Sequence, residues 1–345
     1  MIDLRSDTLT MPTEEMLKTI LTADLGDDGR LDENERGEDA TVNALEDLSA
    51  SITGKEAAVL FSSGTLANTT AVLTYCNPGD RVLVDEIQHI YRSEKVVFDK
   101  KFGQLIPVIY KLNKRSTPDV DNLKFLMQRN NIKLLCIENT HNFAGGICID
   151  LKELKQIYSL AKEFGIHVHM DGARLFNAAV SLDVKAKDLC RYTDSVMFCI
   201  SKGLGAPVGS LLCGNKEFIK KARRTRKLLG GNMRQAGVIA APGIYALEHN
   251  IQILKKDNEN ARFVADSLRE LKNAEVQQNV QTNIVMLDIT KTGLTSTEYC
   301  AKAKEKGLWI RPALENQVRM VFYNGVSHKD AAYAVKVIKD IDASL

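Results

Sequence analysis

Short apolar runs alternate with helical patterns between about residue 55 and residue 250. Between two of these runs, residues 151–164 carry apolar side chains at spacings of three and four, as on one helical face, and Gly165 stands at the predicted helix end. This alternation is typical of βαβ units, so the sequence predicts a three-layer α/β sandwich with a mostly parallel sheet. The predicted strands are Ala57–Phe61, Arg81–Asp85, Ile132–Glu138, Ile166–Asp171, Ser195–Ile200 and Ser210–Cys213.

The pattern changes beyond about Pro242, where strands become fewer and helical segments longer. We therefore expect a large domain over residues 1–245 and a smaller α+β C-terminal domain over residues 246–345. The elements predicted after Pro242 are a long helical stretch over Gly243–Asn273 that is broken or bent at an unspecified place, short strands at Ile284–Leu287 and Val318–Phe322, and a helix over His328–Leu345.

Composition and charge exclude several classes of protein. The chain has 345 residues with 46 Lys and Arg against 44 Asp and Glu, a net charge of +2 that is too small for a dedicated nucleic-acid binder. We find no apolar run of the length that a membrane span needs, and the charged N-terminus does not resemble a signal peptide. Seven cysteines without a CxxC pair suggest reduced, buried thiols, so we expect a cytoplasmic protein.

Three sequence features carry candidate chemistry, and each follows a predicted strand. Ser62–Thr65 forms a small-residue turn at a helix start, which presents free N–H groups to an anion or simply caps the helix. Asp171 ends a strand, where ligands collect in a parallel sheet, although it could also cap the next helix. Lys202 precedes Gly203 after the next strand; a lysine in such a turn is more often solvated.

Taken together, the three features match the needs of pyridoxal 5′-phosphate. A lysine amine condenses with the aldehyde of this cofactor, and a carboxylate keeps the ring nitrogen protonated so that the ring accepts electrons. A helix N-terminus holds the phosphate. A phosphate cradle, a carboxylate and a lysine in this order therefore predict a pyridoxal-phosphate site.

Longer motifs extend along the chain and carry a resemblance to a known family. The sequence resembles the L-threonine aldolases, of fold type I among pyridoxal-phosphate enzymes, which implies that fold for the large domain and cleavage of β-hydroxy-α-amino acids. The matching stretches are Leu4–Thr8, Gly26–Asp28, Gly37–Asp39, Thr41–Asn43, Gly64–Thr65, Glu138–Asn142, Asp171–Ala178, Ser201–Ser210, Gly230–Gln235 and Tyr245–Asn250.

The resemblance implies a role for each matched residue. In the cofactor site, Lys202 is similar to the covalently linked lysine and Asp171 to the partner of the ring nitrogen, while Gly64 and Thr65 are similar to the phosphate turn. Four further residues are implied near cofactor and substrate: His89 stacked on the ring as a candidate base, Arg174 near the ring hydroxyl, and Ser6 and Arg319 at the substrate carboxylate.

The resemblance also bears on the basic stretch Lys220–Lys227. Such a run is usually a solvated helix face. Residues similar to Lys227 and Arg234 reach the cofactor phosphate of a neighbouring subunit in the family, which implies a homo-oligomer, a dimer or tetramer such as a homotetramer, with shared active sites. His167 and His169 share one strand face, but without a third ligand nearby we assign them structural or supporting roles and expect no metal.

Three departures from the family bear on the substrate. The early loop Gly26–Asp39 is longer, the stretch 122–132 lacks a histidine, and Phe322-Tyr323 replaces a Thr-His pair. We expect a pocket that discriminates poorly between the two β-hydroxyl configurations. In the alternative, Arg30 or Arg36 of the longer loop supplies a cation that favours an acidic substrate side chain.

The sequence thus predicts a pyridoxal-phosphate-dependent carbon–carbon lyase that cleaves L-threonine or L-allo-threonine to glycine and an aldehyde. A base, either His89 or a bound water, would remove the β-hydroxyl proton. The same parts could instead support β-elimination, racemisation or transamination of another amino acid. A protein that binds the cofactor without catalysis is the remaining alternative. We expect no nucleic-acid or membrane partner.

Overall fold

A computed structural model describes residues 1–33 and 35–345. Strands occur throughout the chain, and buried apolar runs form those of the large sheet, because side chains on both strand faces are covered. The strands are β1 (Ile2–Asp3), β2 (Ala57–Phe61), β3 (Arg81–Asp85), β4 (Ile106–Tyr110), β5 (Ile132–Glu138), β6 (His167–Asp171), β7 (Ser195–Cys199), β8 (Ser210–Gly214), β9 (Glu275–Val276), β10 (Ile284–Asp288), β11 (Leu308–Trp309), β12 (Arg311–Pro312) and β13 (Gln317–Val321).

Helices alternate with these strands, and most begin at a side chain that caps the first turn, as Asp150 does with a capping box. Among the described helices, none has the length and apolar character needed to cross a membrane. The helices are α1 (Glu14–Lys18), α2 (Ala40–Thr53), α3 (Gly64–Tyr75), α4 (Val120–Arg129), α5 (Leu151–Glu163), α6 (Leu175–Leu182), α7 (Ala186–Cys190), α8 (Lys216–Leu228), α9 (Gly237–His249), α10 (Leu254–Ser267), α11 (Ser296–Glu305) and α12 (His328–Ala343).

The large sheet has seven strands in the order β2-β8-β7-β6-β5-β3-β4. All strands are parallel except β8, which runs antiparallel to β2 and β7. Alternate residues of each strand enter different cores: Phe198 packs under α2, α5 and α9, whereas Met197 packs under α3 and α8. Helices therefore cover both faces, and the predicted three-layer α/β sandwich is confirmed.

A second, antiparallel sheet of order β12-β13-β10-β9 packs with α10, α11 and α12 around a separate apolar core. The N-terminal segment joins this part of the molecule, because β1 pairs in parallel with β11 and Leu4 lies in the same core. The additional small sheet agrees with the predicted α+β character of the C-terminal region. The predicted division between residues 245 and 246 falls within α9.

The helical stretch predicted over Gly243–Asn273, with a break or bend at an unspecified place, is two helices, α9 and α10, joined by a short 3₁₀ turn. It differs from the expectation at its start, because α9 begins before Pro242 rather than after it. Small residues let α9 pack closely on α2, and this packing outweighs the hydrogen bond that the proline removes. Strand β4 of the large sheet and the short strands β1, β9, β11 and β12 were not predicted.

The predicted loop Gly26–Asp39 contains no helix, and an isolated bridge between Leu31 and Gly37 closes it; its residue Asn34 lies outside the described residues. Two contacts attach this loop to α8. In the first contact, Glu35 forms ion pairs with Lys220 and Arg224, at 2.8 and 2.7 Å.

The second contact of this loop with α8 is buried. Asp28 lies 2.8 Å from Nη2 of Arg226, and both side chains are 1% exposed. On the opposite side, Arg36 turns towards α2, where its Nη1 lies 3.1 Å from Asp47. In the described chain Arg36 is therefore engaged by α2, which does not support the alternative in which it meets the substrate.

Candidate active site

Four predicted residues follow the carboxyl ends of strands in the large sheet. Gly64 follows β2, His89 follows β3, Asp171 ends β6 and Lys202 follows β7. Because these strands are parallel, their carboxyl ends share one edge of the sheet, and the site assembles there. The antiparallel β8 begins at the same edge, beside the start of α3.

The turn before α3 packs closely against the end of β7 and leaves backbone N–H groups free. Ser63 caps the helix, accepting a hydrogen bond from the N–H of Leu66 at 3.2 Å, and Thr65 is exposed in the first turn. A Cβ on Gly64 would lie 2.9 Å from Sγ of Cys199, so only glycine fits here. The remaining N–H groups of this helix start are open to an anion, as predicted for a phosphate.

Asp171 is buried and its two carboxylate oxygens are held separately. Oδ2 accepts from Nδ2 of Asn68 at 3.0 Å, and Oδ1 accepts from the N–H of Ala173 at 3.0 Å. The ring of His169 contacts Asn68, with Nε2 3.1 Å from the side-chain Oδ1 of Asn68 and Nδ1 2.9 Å from Oγ of Ser195. Burial lowers the pKa of His169 to about 4, so this histidine is a neutral support rather than a base.

His89 is fixed by two acidic side chains. Its Nδ1 lies 3.1 Å from Oε1 of Glu94, and its backbone N–H donates to Oε2 of Glu138 at 2.8 Å. Burial acts to lower the pKa of His89, but the Glu94 hydrogen bond and the negative charges of Asp171 and Glu138 raise it above its ordinary value. His89 therefore holds a proton more readily than a free histidine.

The side chains of His89, Glu94 and Asp171 place possible ligand atoms within 4.8 Å of one another. A metal ion would suit such a set only if the oxygens were free to face it. Nδ2 of Asn68 donates to both carboxylates, at 3.1 Å to Glu94 and 3.0 Å to Asp171. An N–H donor between the acids matches anionic acceptors rather than a cation, and the expectation of no metal stays a prediction.

Two arginines meet at the opposite side of the site. Arg174 donates from Nε and Nη2 to the carboxylate of Asp7, at 2.6 and 2.8 Å. Arg174 and Arg319 both donate to Oδ1 of Asn142, at 3.2 and 2.6 Å. Nη2 of Arg319 also donates to the carbonyl of Arg5 at 3.2 Å, which brings the adjoining Ser6 to this group.

The charges of this group are not balanced. Asp7 neutralises one guanidinium, while Arg319 is 4% exposed and its Nε has no hydrogen-bond partner among the described residues. Burial lowers the pKa of Arg319 to about 9, and the positive charges of Arg174 and Arg311 act in the same direction. A buried guanidinium with a free donor is a ready site for a carboxylate.

Lys202 lies next to this cluster. Burial acts to raise the pKa of Asp7, but the charge and hydrogen bonds of Arg174 and the charge of Lys202 lower it below its ordinary value. Asp257 of α10 lies under the same turn, where a Cβ on Gly203 would be 3.8 Å from its Oδ2. Burial raises the pKa of Asp257 to about 7, and the negative charge of Asp7 adds to the shift.

Lys227 and Arg234 stand apart from the other predicted residues. Both are exposed; Lys227 lies in the last turn of α8, and Nη1 of Arg234 lies 3.1 Å from Asp27. The described chain thus brings together Ser6, Arg174 and Arg319 at one side and His89 and Asp171 at the other. It does not bring Lys227 or Arg234 to them.

Known proteins resemble this chain over nearly its whole length. The sequence profile of the β-eliminating lyases matches residues 3–292. The chain is 38% identical over 337 residues to the low-specificity L-threonine aldolase of Escherichia coli K12, covering 96% of each protein. It is 35% identical over 350 residues to a probable low-specificity L-threonine aldolase of Arabidopsis thaliana, covering 99% of this chain and 97% of that one. The chain belongs to the L-threonine aldolase family.

A solved structure shows the same fold. A threonine aldolase of Leishmania major superposes with a TM-score of 0.81 at 17% identity, over 99% of this chain and 100% of that one. This likeness concerns the fold and confirms the fold-type-I architecture. The predicted family is therefore confirmed, and with it the class of lyases.

Several polar residues of this chain's site had no predicted role. Asp7 and Asn142 lie within the quoted motifs, and their partners emerge only from the fold. Asn68 and Glu94 lie outside those motifs. Their spacing from predicted site residues could have pointed to them, because Asn68 is one helical turn after Gly64 and Glu94 follows His89 closely.

Proposed function

We propose that this protein is a pyridoxal-phosphate-dependent aldolase that cleaves L-threonine and L-allo-threonine to glycine and acetaldehyde. The proposal is supported by membership in the L-threonine aldolase family and by relatives named low-specificity L-threonine aldolase. One structural observation carries it for this chain: the buried Arg319, with a free Nε, lies beside Arg174 and Asp7, near the edge of the large sheet where Asp171 ends β6 and Lys202 follows β7.

The residues present fit pyridoxal 5′-phosphate. Gly64 lets the start of α3 pack closely against Cys199, where a Cβ would lie 2.9 Å from Sγ, and the free N–H groups of this helix start suit a phosphate. We propose that Gly64 and Thr65 hold the phosphate, Lys202 the aldehyde carbon and Asp171 the ring nitrogen, with Arg174 and His89 bordering the ring. When bound, the cofactor supplies an electron-accepting ring for the electron pair released at the α-carbon.

In the proposed reaction, Arg319 and Ser6 bind the α-carboxylate of the amino acid. Arg319 carries N–H groups on Nε and on its two Nη atoms. A carboxylate beside it would accept a hydrogen bond from the free Nε and offset the repulsion between Arg319 and Arg174. Fixing the carboxylate orients the Cα–Cβ bond for cleavage. Asp171, held by Asn68 and the N–H of Ala173, keeps a proton on the ring nitrogen, which stabilises the negative charge that develops.

The β-hydroxyl proton needs an acceptor. We propose that His89 takes it, directly or through one water, because the surrounding carboxylates of Glu94, Asp171 and Glu138 favour the protonated imidazole. Loss of this proton allows the Cα–Cβ bond to break, leaving an aldehyde and, after protonation of the α-carbon, glycine.

We further propose a cytoplasmic homo-oligomer, a dimer or tetramer, in which Lys227 and Arg234 reach the cofactor phosphate of a neighbouring subunit. Their exposure in one chain and the exposed apolar side chains nearby support this, since Leu228 is 88% and Leu21 86% exposed. The buried free thiols among the described residues are compatible with a reducing compartment.

Product analysis tests the proposed function. The purified protein loaded with pyridoxal phosphate is incubated with L-threonine, L-allo-threonine and L-serine, and glycine, aldehyde, ammonia and keto acid are measured. We expect glycine and acetaldehyde in equal amounts. Ammonia with a keto acid would instead show β-elimination, and no turnover of any amino acid would contradict an enzymatic role.

A matched pair of variants tests the carboxylate site. Arg319→Lys keeps one positive charge but loses the fork, so KM for L-threonine should rise more than kcat falls. Arg311→Lys is the control, because Arg311 lies opposite Arg319 on the neighbouring strand but is exposed, and lysine keeps the positive charge that it contributes. Equal effects of the two substitutions would contradict the role of Arg319.

A further inference from the structure

Glu94 is a buried acid that enters the proposed reaction only as one of three negative charges around His89. It ends a π-helical turn over Ile90–Glu94 that follows His89 directly, and Lys95 leaves the turn with a φ of 57°. A π turn places residues five apart near each other, and such turns occur often at functional sites. The side chain of Glu94 is 5% exposed, so its contacts are fixed by the protein.

The contacts of Glu94 point to His89 and, through one amide, to Asp171. Oε1 of Glu94 lies 3.1 Å from Nδ1 of His89 and accepts from Nδ2 of Asn68 at 3.1 Å. The same Nδ2 donates to Asp171 at 3.0 Å. Oε2 of Glu94 has no hydrogen-bond partner among the described residues. Glu94 thus touches the proposed base and is one amide away from the proposed partner of the ring nitrogen.

The orientation of Asn68 follows from these partners. Ionised carboxylates only accept hydrogen bonds, so the atom of Asn68 between Glu94 and Asp171 is the NH₂ group. The amide oxygen then faces Nε2 of His169, which must donate, and Nδ1 of His169 accepts from Ser195. With Glu94 and Asp171 ionised, every hydrogen bond from Ser195 through His169 and Asn68 to Glu94 thus has one donor and one acceptor.

The same reasoning applies to the ring of His89. A carboxylate at 3.1 Å from Nδ1 accepts the hydrogen on that nitrogen. We propose that Glu94 is a positioning residue that keeps a hydrogen on Nδ1 of His89 and so leaves Nε2 as the nitrogen that accepts a proton. The statement about Nε2 as a catalytic base rests on the proposed function; the statement about the hydrogen on Nδ1 does not.

Other titratable groups also face this pair. Burial raises the pKa of Glu94, and Asp171 adds to the shift, whereas the hydrogen bond from His89 opposes it. Acidic side chains approach the ring from two strands, and two basic groups, His141 and Arg92, lie beyond them. The groups packed against the pair are Asp171 on β6, Cys136 and Glu138 on β5, His141 beyond Glu138, and Arg92 over the Phe143 ring.

Nitrogen NMR of histidine-labelled holoprotein without substrate tests the proposal directly. The His89 signals are assigned by their loss in His89→Asn. We expect wild type to carry hydrogen on Nδ1 when neutral, and Glu94→Gln to lower the titration midpoint of His89 by about one pH unit or more, since a negative charge is lost. Glu94→Leu should shift the hydrogen to Nε2. Glu86→Gln, an exposed acid after the same strand, is the control.

The outcomes separate this proposal from the proposed function. Hydrogen on Nε2 in wild type would overturn the role of Glu94, and this measurement needs no variant to fold. An unchanged His89 titration in folded Glu94→Gln protein would also overturn it. If His89 changes as expected, the acid limb of kcat/KM for L-threonine should move to lower pH in Glu94→Gln with KM little changed. A changed His89 with an unmoved pH profile would support Glu94 as the positioning residue and contradict His89 as the base.

Discussion

Replacing Asp257 with asparagine should change how the stability of the protein depends on pH. Asp257 is 1% exposed in α10, and its Oδ2 has no hydrogen-bond partner among the described residues. Burial raises the pKa of Asp257 to about 7, with a further contribution from the negative charge of Asp7. Asparagine has the same shape and does not ionise, so it removes the titration while leaving the packing under Gly203 in place.

The magnitude follows from the two pKa values. The carboxyl ionises near pH 3.8 in the unfolded chain, whereas the folded protein holds its proton up to about pH 7. The contribution of this proton to stability is therefore complete below pH 3.8 and is lost as the pH rises to about 7. A difference of this size corresponds to at most about 4 kcal/mol in the free energy of unfolding.

Urea unfolding of both proteins between about pH 4 and about pH 8.5 measures this contribution. The advantage of Asp257→Asn over wild type should grow with pH and level off above about pH 7. Asp266→Asn is the matched control, because Asp266 lies on the same helix with a side chain that is 64% exposed. A difference between wild type and Asp257→Asn that stays constant across the range would refute the reasoning.

Three further predictions concern the cofactor and the substrate. Borohydride treatment of the cofactor-loaded protein should label Lys202, and Lys202→Ala should lose turnover by orders of magnitude; peptide mapping that finds the label on another lysine would contradict the assignment. Lys227→Ala combined with Arg234→Ala should weaken cofactor retention on dialysis, and mixing this variant with Lys202→Ala should restore some activity. No recovery after verified subunit exchange would argue against shared sites. The kcat/KM values for L-threonine and L-allo-threonine should differ by less than about tenfold, because one hydrogen bond contributes about 0.5–1.5 kcal/mol; a preference above about a hundredfold would contradict the relaxed pocket.

The buried strands could be predicted from the sequence, because a strand covered on both faces is a short continuous apolar run. The predicted bounds of β2, β3 and β5 coincide with those in the structure. Strand β4 escaped prediction for a physical reason. It lies at the edge of the sheet, is only partly buried and contains Pro107, and proline in an apolar run argues against a strand except at an edge.

Some residues of the candidate site could likewise be predicted from the sequence, and others could not. Gly64, Asp171 and Lys202 could be predicted because each stands at the end of a strand, and the ends of parallel strands meet. The pair of Asp7 and Arg174 joins residues that are 167 positions apart. No local pattern encodes such a contact, since it depends on how the N-terminal segment packs between the two cores.

The pairing of β1 with β11 has a consequence for chain synthesis. Ile2 lies beside Leu308, so β1 is synthesised long before the strand with which it pairs. Contacts between residues so distant in sequence close large loops and form slowly. The large sheet, complete at β8, can assemble earlier. The side of the site that we propose to bind the carboxylate, where Asp7 and Arg319 lie, is therefore completed last, and a nascent chain with its large sheet already folded still lacks it.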